Sequence, residues 1–250
     1  VTVLVLTEDL DPTADRVIDQ LNRRGVPVLR ADTGWFPYRL TLTGELVDGR
    51  WVGALITPQH SVQLQQLRSV WYRRPTAFTF PHSWPVPLRR HAAYEAKFGL
   101  GGVLWPLPVL WVNHPAHQAD LYKPTQLSTA TACGLPVPDT LVTNDPQQAR
   151  QFITTHPGGV VVKPLGFSSI TGDDHRQMIY THLITEDDLS HLDTVASTAH
   201  LLQAWVDKSH EVRLTVVGQR MFAAAIHTEH SQARVDFRAD YHSLRYTVVD

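Results

Sequence analysis

The opening of the chain constrains its fold more than any other stretch. Residues 1–6 form a nearly continuous apolar run, Ala14, Val17, Ile18 and Leu21 follow at helical spacing, Gly25 supplies a C-terminal stop, and residues 26–29 resume as a second strand. A strand, a helix and another strand within about thirty residues bury their apolar faces as a βαβ unit, a parallel strand pair under helical cover. The turn after the first strand, TEDLDPT, has none of the glycines that let a backbone approach a dinucleotide pyrophosphate. No dinucleotide site follows from this unit.

The next signals are β. Residues 40–46 and 50–55 flank Asp48 and Gly49, a two-residue hairpin turn, and VWYRRP at residues 70–75 is a further strand. A helix from about Pro87 to Phe98 and a strand over residues 109–113 complete a first lobe ending near His117. The uncharged run 98–119 has the length of a membrane span, but Gly101, Gly102, Pro106, Pro108, Asn113 and Pro115 interrupt it. Buried elements joined by turns are expected there instead.

The second lobe starts with a helix in which Pro124 suits the first turn, Leu127 and Ala130 mark the inner face, and Gly134 ends the element. Asp145 and Pro146 open another helix. From Gly159 the pattern becomes β: GVVVKPL, a polar loop, QMIYTHLI, and a short helix after Thr185. HLLQAWV and the hairpin EVRLTVVGQRMFAAAIH begin a third block at about His200. The expected division is therefore 1–117, 118–199 and 200–250, with mixed α/β and α+β architecture.

Composition narrows the function classes. The chain has 250 residues, 43% hydrophobic, and 22 basic against 24 acidic side chains for a net charge of -2, so no polyanion-binding footprint is visible and neither nucleic acid nor membrane is an expected partner. Cys133 is the single cysteine, which excludes an internal disulfide and a multi-thiolate zinc site. The 14 histidines lack a ligand spacing such as HExxH, so no metal-ligating residue is assigned. With no basic region ahead of an apolar export core at the N-terminus, a cytoplasmic location is expected.

One lysine carries the chemistry. Lys163 shares a strand face with Val161 and Leu165, which directs its ammonium among apolar neighbours, where an unpaired cation is costly. The small, hydroxyl-rich loop that follows, including Ser168 and Ser169, can present N–H groups and hydroxyls to phosphate oxygens. A snorkelling lysine beside a plain hairpin turn fits the same residues equally well, so other groups must decide. Lys123, at the mouth of a helix, can supply a second phosphate contact. Gln203, Ala204, Trp205 and Val206 can meet an adenine edge, and Asp207 a ribose hydroxyl. Glu211 and Arg213 lie two apart on one strand face, as do Asp236 and Arg238 if that segment is extended; each is an ordinary ion pair unless it lines a cleft. An arginine in such a cleft holds a carboxylate or a transferring phosphoryl group.

In order along the chain, Lys123, GLPVPDT, VVVKPL with its serine-rich loop, QAWV and EVRLTVVG resemble an ATP-grasp ligase. WYRRP, NHP, IYTHLI and DFR resemble, within that superfamily, the ATP-grasp ribosomal peptide maturases, the graspetide or microviridin-type macrocyclases. The resemblance implies an ATP-grasp fold with an N-terminal Rossmann-like pre-ATP-grasp lobe, ATP and Mg2+ as cofactors, and a precursor peptide with leader and core as partner; a homodimer is left open. It implies that Lys123, Lys163, Ser168, Ser169 and residues Gln203, Ala204, Trp205, Val206 and Asp207 bind the nucleotide. Arg213 and Arg238 are then the catalytic contacts to phosphate or substrate carboxylate. The family also carries acidic magnesium-holding residues after the DFR region, which this sequence reaches Asp250 without, so a chain truncated in its C-terminal lobe, or a degenerate member, is expected. The implied reaction is side-chain ester or amide ring formation through an acylphosphate. The rivals are an amino-acid or peptide ligase of the ribosomal-protein glutamate ligase type and a non-catalytic peptide-binding relative.

Overall fold

A computed structural model describes residues 1–118, 122–166, 169–171 and 176–249. The chain divides into two compact units, Val1–Leu121 and Tyr122–Asp250.

The first unit contains β1 (Thr2–Thr7), α1 (Pro12–Arg23), β2 (Val28–Ala31), β3 (Thr41–Val47), β4 (Arg50–Ile56), β5 (Ser61–Gln63), β6 (Leu67–Arg74), α2 (Val86–Leu104), β7 (Leu110–Val112) and α3 (Pro115–Gln118). Strands β2, β1, β6 and β7 form a parallel sheet in that order, which establishes the expected βαβ start. Leu4 and Val5 are both fully buried although they face opposite sides of β1, as a parallel strand covered on both faces requires. Asp11 caps α1, its carboxylate accepting from the N–H groups of Thr13 and Ala14. The β3–β4 hairpin turns through Asp48 and Gly49 with φ of 49° and 74°, a type I′ geometry.

Helix α2 is longer than its sequence pattern indicates: it runs past Phe98 through Gly99, Gly101 and Gly102 to Leu104. Each glycine costs about 1 kcal/mol of helix propensity. The burial of Leu100, Val103 and Leu104 at i, i+3 and i+4 outweighs that cost. Among the described residues no helix is long and apolar enough to cross a membrane.

The second unit contains α4 (Lys123–Ala132), β8 (Thr140–Thr143), α5 (Pro146–Thr155), β9 (Val160–Lys163), β10 (Ser169–Thr171), β11 (Arg176–Met178), β12 (His182–Leu183), α6 (Glu186–Ser190), β13 (His200–Ala204), β14 (Glu211–Val217), β15 (Arg220–His227), α7 (Ser231–Val235) and β16 (Arg245–Val249). Its central sheet has the order β12, β9, β13, β8, all antiparallel, over a core of Val160, Leu192, Val195 and Leu202. Because β13 bonds both β8 and β9, this sheet extends past residue 199 to Ala204. A second antiparallel sheet comprises β14, β15 and β16.

One local expectation needs correction. QMIYTHLI is not one strand: β11 ends at Met178 and β12 begins at His182, because the Thr181 N–H between them is spent on the Asp236 carboxylate at 2.9 Å. The condition that the DFR segment be extended is not met: Phe237–Ala239 is a 3-10 turn capped by Asp236.

Candidate nucleotide site

Antiparallel pairing of β9 and β13 sets Leu201 opposite Lys163 and Gln203 opposite Val161. At the end of β9 the half-buried Lys163 ammonium donates to Oε1 of Gln203 at 2.7 Å, and the Gln203 amide in turn donates to the Thr140 hydroxyl at 2.9 Å. Gln203 is 5% exposed, so this chain of donors is fixed from within the sheet. An ammonium has three N–H donors. The other two of Lys163 have no partner among the described residues.

Burial lowers the Lys163 pKa below the usual lysine range, Lys208 and Lys123 push the same way, and Glu211 and Asp236 oppose them. Lys123, at the first turn of α4, donates to the Pro164 carbonyl. Burial lowers its pKa as well, with the Arg238 guanidinium adding to the effect and Asp236 resisting. Lys208 meets Glu211 at 3.2 Å, lies 4.8 Å from the centroid of the Trp205 ring, and donates to the Val235 carbonyl at 3.3 Å.

Asp236 anchors the far side. It is 5% exposed and accepts from Thr181 N–H, from Arg238 N–H at 3.1 Å, and from Arg238 Nε and Nη2 at 2.9 and 2.6 Å. Burial alone raises a carboxyl pKa; these bonds and the guanidinium charge reverse it and hold Asp236 at about 2. Among the described residues the neighbourhood therefore holds four cations, Lys123, Lys163, Lys208 and Arg238, against two carboxylates, Glu211 and Asp236, that are already engaged. Such a cluster is chemically suited to a group that brings negative charge and oxygen acceptors.

The remaining expected residues fall less evenly. The backbone N–H groups of Ala204 and Trp205 are taken by the Asp139 and Gly159 carbonyls at 2.9 and 2.8 Å, so they are not free for a base edge. Val206 is exposed, and its N–H has no partner among the described residues. Asp207 is solvent-facing and sits 3.4 Å from Arg234. Arg213 is exposed on β14, on the face that carries Glu211, without an ion pair among the described residues. Glu211 pairs with Lys208, and no Glu211–Arg213 ion pair forms among the described residues. Ser169 lies in β10 opposite Met178, and Ser168 lies outside the described residues.

Sequence reasoning missed Lys208, the side-chain role of Gln203 and the anchoring by Thr181. Lys208 directly follows QAWVD and was findable there; the other two depend on contacts 40 and 55 residues apart. Among the described residues no group of three or more His, Cys, Asp or Glu side chains stands ready for a metal. With Glu211 and Asp236 committed to cations, these residues do not fit a magnesium site, and no step is derived through that ion.

The fold is that of an ATP-grasp ligase. Residues 2–119 match the family model described as the MvdD pre-ATP grasp domain. The whole chain is similar, at 27% identity and a TM-score of 0.87, to 77% of a Chryseobacterium gregarium RiPP-associated ATP-grasp ligase in complex with ADP and a leader and core peptide. At 25% identity and a TM-score of 0.85 it is similar along its whole length to 79% of macrocyclase MdnC from Microcystis aeruginosa MRC, bound with precursor peptide MdnA. PsnB, complexed with minimal precursor, Mg and ADP, shares the fold at 22% identity and a TM-score of 0.69, covering 100% of this chain and 75% of its own. No curated protein matches significantly. The chain thus carries a pre-ATP-grasp domain of the MvdD type over residues 2–119 and along its whole length resembles the ATP-grasp ligases that act on ribosomal peptides.

Proposed function

We propose that this protein closes side-chain ester or amide rings in a ribosomally made precursor peptide, through an acylphosphate on an Asp or Glu of that peptide. The observation that carries the reading is the half-buried Lys163 ammonium, two of whose donors have no partner among the described residues, inside a cation-rich cluster. The leader, core and precursor peptides bound by the C. gregarium ligase and MdnC support the peptide as substrate.

In this reading ATP supplies the phosphoryl group that turns a carboxylate into an acylphosphate. Lys163 and Lys123 hold phosphate oxygens, Val206 offers its backbone to the base, and Asp207 turns from Arg234 to a ribose hydroxyl. Arg238, fixed by Asp236, and Arg213 on β14 meet the peptide carboxylate and neutralise charge as the phosphoryl group moves. A Thr or Ser hydroxyl, or a Lys amine, of the same peptide then displaces phosphate, and no protein nucleophile is needed. The second unit supplies the central and C-terminal ATP-grasp lobes, parted where QAWVD leaves the central sheet.

The test is mass spectrometry of a short Thr- and Asp/Glu-rich peptide encoded beside this gene. The wild type removes one water per ring in the presence of ATP, and Lys163→Ala loses that activity by at least about a hundredfold with an unchanged melting profile. Mass gain by an added amino acid points to the terminal ligase instead; unchanged ring formation by Lys163→Ala overturns the site.

A further inference from the structure

The first unit contains a charge arrangement that the nucleotide site does not use. Between Asp48 and Glu95 the sequence has no Asp or Glu, yet it carries Arg50, Arg68, Arg73, Arg74, Arg89 and Arg90. In a chain of net charge -2, so long an acid-free stretch is a local departure from the average. Arg73 is answered by Asp11 at 2.9 Å and Arg74 by Glu8 at 3.8 Å. Arg89 and Arg90 have no carboxylate partner among the described residues.

Those two arginines line a pocket of about 370 Å³ with Phe78, Phe80, His82 and Val86. Arg89 Nε is buried without a hydrogen-bond partner among the described residues, and Arg89 Nη1 lies 3.5 Å from the His82 ring nitrogen. A buried, unpaired guanidinium N–H is a cost that native folds rarely leave unanswered. The pocket also opens at the start of α2, where Pro85 precedes the helix and no side chain caps it, so the positive end of a 19-residue helix adds to the same field. Phe78 and Phe80 are half-buried and form an apolar wall, which strengthens any ion pair made beside it.

We propose that this pocket is a second anchoring point for the precursor peptide and takes an acidic side chain flanked by apolar residues. The carboxylate bridges Arg89 and Arg90, and the neighbouring apolar side chain lies against Phe78 and Phe80. This rests on the reading of the chain as a peptide-modifying ligase and adds to it a determinant on the pre-ATP-grasp unit.

The experiment measures fluorescence anisotropy of a labelled peptide of Glu-Phe-Ser repeats, and of its Gln-Phe-Ser counterpart, with the full chain. The acidic peptide binds tighter than the Gln peptide, and Arg89→Gln/Arg90→Gln weakens it by about tenfold or more, to the level of the Gln peptide. Arg90 is exposed, so Arg90→Gln leaves the fold intact and by itself weakens binding several-fold if the double variant proves unstable. ATP binding stays at the wild-type level in these variants. Equal affinity of wild type and Arg90→Gln for the acidic peptide overturns the proposal, as does displacement of that peptide by ATP, which marks the pocket as a phosphate site. If the chain binds no ATP, the ligase reading fails, and the peptide titration still decides whether the pocket takes acids.

Discussion

At the carboxyl ends of the parallel sheet in the first unit, ionised groups close on one another. Asp11, 3% exposed, takes the Thr7 hydroxyl at 2.7 Å, two N–H groups of α1 and the Arg73 guanidinium; Asp32 takes the Thr76 N–H and hydroxyl at 2.7 and 2.9 Å. Around Lys163 in the second unit the same kinds of side chain stop short of closure among the described residues, and two ammonium protons have no partner there. Buried charge that is satisfied specifies a scaffold, whereas buried charge with spare valence is arranged for a ligand.

The contrast breaks most visibly at Asp11. Its pKa is lowered although burial works the other way, because the Thr7 hydroxyl, the Ala14 N–H and Arg73 favour the ionised form. Asp11→Ala removes a helix cap and strands Arg73, so the first unit is expected to lose about 3 kcal/mol in a denaturant titration. Nucleotide affinity is expected to stay at the wild-type level; a fall in it would mean that the scaffold and the site are not separable.

A smaller effect comes from acid. With Asp236 at about 2 when folded and an ordinary value of 3.8 when not, its stabilisation is complete above pH 4 and is lost as pH falls towards 2, worth about 2 kcal/mol. Asp236→Asn flattens this part of a stability-against-pH curve measured between pH 2 and 5. An unaltered curve would show that the Arg238 pair is not what holds the turn.

The smallest change sharpens the comparison. Glu211 answers Lys208 at 3.2 Å, so Glu211→Gln raises the positive surplus and tightens binding of a non-hydrolysable ATP analogue by about threefold at low salt, read by calorimetry. Weaker binding would place the Glu211 carboxylate among the groups that hold the ligand.

Much of the architecture was legible in advance. The βαβ start, the Asp48–Gly49 hairpin and the Asp145-capped helix each depend on neighbours a few residues apart, and periodicity or turn chemistry reads them directly. Where a long-range contact competes, local reading fails: α2 continues through three glycines because Leu100 and Leu104 reach the core, and IYTH is interrupted because Asp236 claims the Thr181 N–H. The site divides in the same way. Lys163 stood out through its own strand, while its Gln203 partner and the diversion of Glu211 from Arg213 to Lys208 did not.

The order of residue types alone determined the parallel scaffold, the family resemblance and the lysine to watch, since strand alternation and helix spacing are properties of adjacent residues. The three-dimensional structure decided which charges are cancelled and which are left over. Coulombic and hydrogen-bond energies depend on distance through space, and Lys163, Gln203, Lys208 and Asp236 acquire their distances only when the sheets form.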